Sequence, residues 1–269
     1  MCDYYNKLSE EYDKLYLDNI IRFQEQMIIA NKKERHYVDF YPSFGVKKPD
    51  KVEFLIYGQA VNGWDSGFNL HDEIDNDKLK QSINASNCYP ASTNFNPIDW
   101  VNLLWSDSIY NKYCTDQHLK EFYNLSYRTN RSFFWNVTYK LICDYYGISR
   151  DSFGWSGNLV WSNLYKIAPD GANPDEQEKR LQLPLATDLV KWELQEINPK
   201  YCILLTNLEW WKPFRKNIGT EIIGYDKPLD EVESVERYRG TMIIVMNRPR
   251  VGNSEKFAGQ ILRIIQTPV

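Results

Sequence analysis

Four short stretches concentrate the residues able to do chemistry, and each sits at the end of an apolar run. They are Gly58-Gln59-Ala60-Val61-Asn62-Gly63-Trp64, Trp161-Ser162-Asn163-Leu164-Tyr165-Lys166, Thr206-Asn207 with Trp210 and Trp211 close behind, and Asn247-Arg248-Pro249-Arg250. The inventory is neutral amides, arginines and aromatic rings. An amide pairs a donor with an acceptor and so complements the edge of a nucleobase, while an aromatic face stacks on the plane of that base. An arginine is permanently cationic and suits a phosphate or a developing anion. The loop after Gly58 offers no obvious catalytic group, so these residues point first to binding a polar, planar ligand.

The runs that carry these stretches read as β-strands. Phe54–Tyr57 stops at Gly58, Leu159–Leu164 forms a second strand, Tyr201–Leu205 a third, and Tyr238–Met246 the last. Helical spacing of Leu8, Tyr12, Leu15, Ile20, Phe23 and Met27 predicts a long amphipathic helix over about residues 8–31. Weaker helical character lies around Ile74–Ile83. A helix through Phe134, Val137, Leu141 and Tyr145 has Asn130 or Thr129 as its cap and Gly147 as its stop. Pro184 marks the start of a helix at about Leu185 to Ile197, a short helix covers Trp210–Asn217, and Ser254–Ile265 closes the chain. Strands alternating with helices predict a mostly parallel sheet flanked by helices, and such a sheet gathers its strand ends, and its ligand, on the carboxyl edge.

Composition narrows the function classes. With 269 residues, 43% hydrophobic, the chain can bury a sizeable core as a single domain over 1–269. Its first part, to about residue 48, reads as a helical extension. The net charge of −4 argues against a broadly basic nucleic-acid coat and leaves room for a local basic patch. The five cysteines are scattered, with no Cys-x-x-Cys, which predicts free thiols in a reducing compartment. The amino-terminal residues are polar and acidic, and no apolar run approaches ~18 residues, so the expectation is a cytoplasmic protein without signal peptide or membrane span. The acidic stretch His71–Asp77 lacks the glycine and terminal glutamate of a calcium loop, and His36, His71 and His118 are far apart, so no metal site is expected. No Gly-x-Ser-x-Gly and no phosphate-cradling Gly-x-x-x-x-Gly-Lys occurs, which removes the main support for a serine hydrolase or a nucleoside triphosphatase, and no cofactor is implied.

Taken in order, the four stretches resemble the uracil-DNA glycosylase superfamily over roughly residues 50–265. That family opens its site with a glycine-containing strand end, matched by Gly58-Gln59-Ala60-Val61-Asn62, followed by an aromatic that stacks on uracil, here Trp64 or Phe68. A Pro/Ser phosphate-contacting loop corresponds to Tyr89-Pro90-Ala91-Ser92. An apolar strand ending in the asparagine that reads the uracil edge corresponds to Leu159–Leu164, with Asn163 as the reader. The polar end of a later strand resembles Ile203–Asn207. The family's His-Pro-Ser loop falls at Asn247–Gly252. The pattern Gly-Gln-x-x-Asn-Gly-Trp with Trp-Ser-Asn-Leu-x-Lys looks like an uncharacterised bacterial branch of the superfamily.

The resemblance implies a three-layer α/β/α fold with a mostly parallel sheet of about four strands. It implies a protein that meets DNA, a nucleobase or a nucleotide; a monomer is expected, though the sequence does not fix the oligomeric state. It assigns base contacts to Asn163, Trp64 and Phe68, phosphate contacts to Ser92, Lys166 and Arg250, and water handling or leaving-group stabilisation to Gln59, Asn62 and Arg248. Two departures bear on the reaction. Ala60 stands where the family places its water-positioning carboxylate, and a related branch has an acid where this chain has Gln59. Arg248 stands in the place of the family histidine, where it suits either the departing base or a phosphate. The function expected is therefore hydrolysis of the N-glycosidic bond of a damaged base without metal, or base binding without turnover.

Overall fold

A computed structural model describes residues 8–45, 52–61, 63–87, 98–105, 128–149, 154–223, 230–248 and 253–267. In chain order its elements are α1 (Glu10–Ile29), β1 (Tyr37–Asp39), β2 (Ser43–Phe44), β3 (Phe54–Ala60), β4 (Gly67–Phe68), α2 (Asn76–Asn87), α3 (Asp99–Leu103), α4 (Phe133–Tyr146), β5 (Leu159–Tyr165) and β6 (Ile167–Pro169). There follow α5 (Glu176–Glu196), β7 (Tyr201–Leu204), α6 (Leu208–Ile218), β8 (Glu221–Ile222), β9 (Val232–Tyr238), β10 (Thr241–Met246) and α7 (Ser254–Gln266). The fold is mixed α/β. Among the described residues no helix is long and apolar enough to cross a membrane.

The central sheet runs β2-β5-β3-β7-β10-β9-β8. Its middle four strands, β5, β3, β7 and β10, are parallel and are the four expected from the apolar runs, whereas β2, β9 and β8 add antiparallel edges. Parallel strands read as continuous apolar runs because both of their faces are covered, and alternation then decides which face each residue serves. Leu55, Tyr57, Val160, Leu164, Cys202, Leu204, Ile243 and Val245 share one apolar cluster with Tyr12, Tyr16 and Ile20 of α1, Leu189 and Val190 of α5, and Phe214 of α6. Phe54, Ile56, Leu159, Trp161, Tyr201, Ile203, Ile244 and Met246 belong to a second cluster with Leu141 and Ile142 of α4 and Ile261 and Ile264 of α7. A small antiparallel sheet, β4-β1-β6, stands apart from the main one.

Four expectations are corrected. The stretch to about residue 48 is not wholly helical: α1 ends at Ile29, and β1 and β2 follow. The last strand begins at Thr241 rather than Tyr238, which ends β9 instead: Arg239, with a left-handed φ of 51°, and Gly240 form the turn of a hairpin, and Tyr238 pairs with Thr241. The charged residues of β9, Glu233, Glu236 and Arg237, mask its alternation in the sequence. Helix α5 starts nine residues before Leu185, because Asp175 and Glu178 form a capping box in which each side chain takes the other residue's backbone N–H. Pro184 then lies inside the helix, on its exposed side, where the carbonyl of Arg180 that it leaves unbonded can bond to water. Helix α4 is capped not by Asn130 or Thr129 but by Ser132, whose hydroxyl accepts from Trp135 N, and it ends as expected at Gly147, in the left-handed region.

The capping box gives a direct test of α5. Asp175→Ala is expected to lower unfolding stability by about 1 kcal/mol, read as a fall in the urea midpoint at unchanged slope. A midpoint equal to wild type would show that α5 is fixed by its packing alone.

Candidate functional site

The strand ends expected to converge do so around one cavity of about 500 Å³. β3 contributes Gly58, Gln59 and Ala60, the loop after it Val61, Gly63, Trp64 and Asp65, β5 contributes Trp161 and Asn163, and Leu205 and Arg248 follow β7 and β10. The opposite wall is the first turn of α4 with Ser132, Phe133, Phe134 and Trp135, together with Trp100 and Leu104. The rings brace one another. Trp161 packs on Trp135 at 4.9 Å and on Trp64 at 5.4 Å between centroids, and Trp64 meets Phe40 edge-on at 5.1 Å. Such a wall supplies apolar area at low entropic cost and places little water around any polar group within it.

Asn163 is the polar centre of this wall and only 2% exposed. Its partner across the parallel ladder is Gly58, and the Asn163 Oδ1 occupies the space that a Cβ at Gly58 would need. Gly58 is thus required for room rather than for its backbone angles. The Asn163 Nδ2, and the indole Nε1 atoms of Trp64 and Trp161, are shielded from solvent and have no hydrogen-bond partner among the described residues. Each such donor costs about 1–3 kcal/mol when left unmatched, so three at one cavity mark it as a place where acceptors belong.

Behind the cavity Asn163 is held by charge. The Lys166 ammonium donates to the Asn163 backbone carbonyl at 2.5 Å and to Ser162 Oγ at 2.8 Å, and pairs with Glu193 at 2.7 Å. Glu193 also accepts from the Tyr12 and Tyr57 hydroxyls, both at 2.6 Å. Burial lowers the Lys166 pKa from the ordinary lysine value while Glu193 opposes that shift. Burial, and then Glu193, push Tyr12 and Tyr57 well above the usual phenol, so both remain protonated donors.

Of the residues expected from the sequence, Gln59, Trp64, Asn163 and Arg248 line the cavity together. Arg248 is exposed, and Gln59 spends its Nε2 on the Thr206 carbonyl at 2.8 Å, tying the ends of β3 and β7. Lys166 is not a phosphate contact: it is fully buried on the far side of β5, with its protons committed. Phe68 is not a stacking residue: it is 1% exposed and stacks on Tyr37 in the core between β1 and β4. Asn207 caps α6 by accepting from Trp210 N, and Trp211 is buried with its Nε1 on Glu236. Asn62, Ser92 and Arg250 lie outside the described residues. Among the described residues no group of His, Cys, Asp and Glu is placed to hold a metal ion.

No known family model matches this chain, and no curated protein matches it in sequence. The chemistry of the site rests on its own geometry. Sequence reading missed Asp65, which follows Trp64 directly, and the aromatic wall of α4. Ser132 before Phe133-Phe134-Trp135 is the signal that would have placed that wall, since a serine cap turns the next three residues into the first helical turn.

The buried ion pair predicts an asymmetric mutational response. Lys166→Met leaves Glu193 as an uncompensated buried charge and is expected to cost about 3–5 kcal/mol in chemical unfolding. The double variant Lys166→Met/Glu193→Gln, which removes the second charge and keeps an acceptor near the Tyr12 and Tyr57 hydroxyls, is expected to recover part of that loss. Equal stability of the two variants would show that the pair is not the source of the cost.

Proposed function

We propose that this chain is a uracil-DNA glycosylase-like protein of three-layer α/β/α arrangement, binding a nucleobase in the cavity at the carboxyl edge of its sheet and hydrolysing the N-glycosidic bond of a damaged base in DNA. The observation that carries this reading is the Asn163 amide, 2% exposed and enclosed by Trp64, Trp161 and Phe134 in a cavity of about 500 Å³. A neutral amide within an aromatic wall suits a planar heterocycle better than it suits a sugar or an aliphatic acid. A base inside a duplex is out of reach of such a recess, so the target nucleotide would have to be flipped out or single-stranded.

In this reading Asn163 pairs with the edge of the base and Trp64 lies against its face. Arg248 at the rim stabilises the base as it departs with the bonding electrons. Gln59, whose donor is bound to Thr206, keeps its carbonyl oxygen to accept a hydrogen bond from water. A second reading, base binding without turnover, is favoured by Ala60, which puts no carboxylate at the end of β3.

Oligonucleotides bearing uracil, hypoxanthine or xanthine, single- and double-stranded, test both readings. Abasic product from at least one of them is expected, with loss of tight binding in Asn163→Ala by about 1–3 kcal/mol. Tight, Asn163-dependent binding with no abasic product would favour the non-catalytic reading. Neither product nor Asn163-dependent binding would sink both.

A further inference from the structure

We infer that Asp65 is the general base of the site, accepting a proton from the water that attacks the sugar carbon; this rests on the hydrolytic reading above. Asp65 is the carboxylate among the described residues that line the cavity. It is exposed, next to Trp64, and makes no hydrogen bond or ion pair among the described residues. This sets it apart from four fully buried carboxylates among the described residues. Asp39, Glu178, Glu193 and Glu236 each accept several hydrogen bonds or pair with a cation and serve the core. Asp65 is left with its lone pairs uncommitted at the mouth of an aromatic recess.

The geometry of charge supports a reactive role. Arg248 lines the same cavity, is exposed, and forms no ion pair with Asp65. A carboxylate and a guanidinium that share a cavity without neutralising each other leave one negative and one positive pole for a substrate placed between them. Hydrolysis of an N-glycosidic bond needs that polarity. The water oxygen bonds to the sugar carbon as its proton passes to Asp65, the carbon–nitrogen bond breaks, and its electron pair leaves with the base towards Arg248. The base then takes up a proton from solvent and Asp65 releases its own, so the protein is regenerated without metal or redox partner. The carboxylate also favours the positive charge that develops on the sugar ring.

The test compares wild type, Asp65→Asn and Asp65→Glu on the oligonucleotide that wild type cleaves fastest, measuring kcat, KM and equilibrium binding separately. Asp65→Asn keeps size and hydrogen bonding but cannot take the proton, so kcat is expected to fall about 10²–10⁴-fold. Binding is expected to change by about twofold or less, as for an ordinary exposed substitution. Asp65→Glu is expected to regain part of kcat. If wild type releases a base and Asp65→Asn keeps its kcat, or loses only KM, the assignment to Asp65 is overturned and the base-pocket reading survives. If wild type binds but releases no base from any oligonucleotide, the assignment falls together with the hydrolytic reading, and base binding remains.

Discussion

The buried ion pair between Lys166 and Glu193 is the constraint on which the rest of the structure depends. Two ions taken out of water lose several kcal/mol each in solvation, and only a complete set of partners offsets that loss. Here the set is complete on both sides. The three ammonium protons of Lys166 meet Glu193, Ser162 Oγ and the Asn163 carbonyl, and the Glu193 carboxylate also takes the Tyr12 and Tyr57 hydroxyls. Those six residues come from β5 and the turn after it, α5, α1 and β3. No one of these elements can slide against the others without stranding a charge or a hydroxyl in the core.

The consequence reaches the other face of the sheet. Along β5 the side chains of Ser162 and Leu164 serve the α1–α5 face, and Trp161 and Asn163 serve the α4–α7 face. The same strand thus carries its anchor and its cavity-lining amide as neighbours, and the anchor grips the amide's own backbone carbonyl. A one-residue slip would exchange the two faces, placing the amide in the apolar core and the ammonium's partners in the cavity. The polar network fixes which face lines the cavity and which face packs.

How far this was legible in the sequence follows from the kinds of signal involved. The four parallel strands are visible because two covered faces demand unbroken apolar runs, as in Phe54–Tyr57 and Tyr201–Leu204. The convergence of Gln59, Asn163 and Arg248 follows from those strands, since parallel ends share an edge. Strand β9 was hidden because Glu236 sits in it fully buried, holding the Trp211 indole, and a charge in a strand reads as solvent-facing until its partners are known. Lys166 was misplaced for the same reason: a lysine after a strand looks like a phosphate contact, and only Glu193, 27 residues later in the chain, shows otherwise. Asn207, three residues past β7, and Asn163, inside β5, both belong to apolar runs in the sequence, yet one caps a helix and the other faces a cavity. Composition does not distinguish these roles, because they depend on whether a helix begins within three residues.

The cavity's polarity is the last element the fold determines. Its inner wall is neutral, with indole and amide donors set among rings, and its charges, Asp65 and Arg248, stand exposed. That division matters energetically. A charge placed at the depth of Asn163 would need a partner as complete as the one Lys166 has, and the aromatic wall offers none. Neutral donors tolerate the wall at a smaller cost, and that cost becomes a means of selection. A ligand that brings acceptors to the Asn163 amide removes a penalty already present, whereas one that brings further donors leaves the penalty and adds its own. Discrimination of this kind needs no charge on the ligand, and it suits a chain whose net charge of −4 gives little general attraction for a polyanion. The neutral donors then line the recess, and the two charges stand exposed beside them.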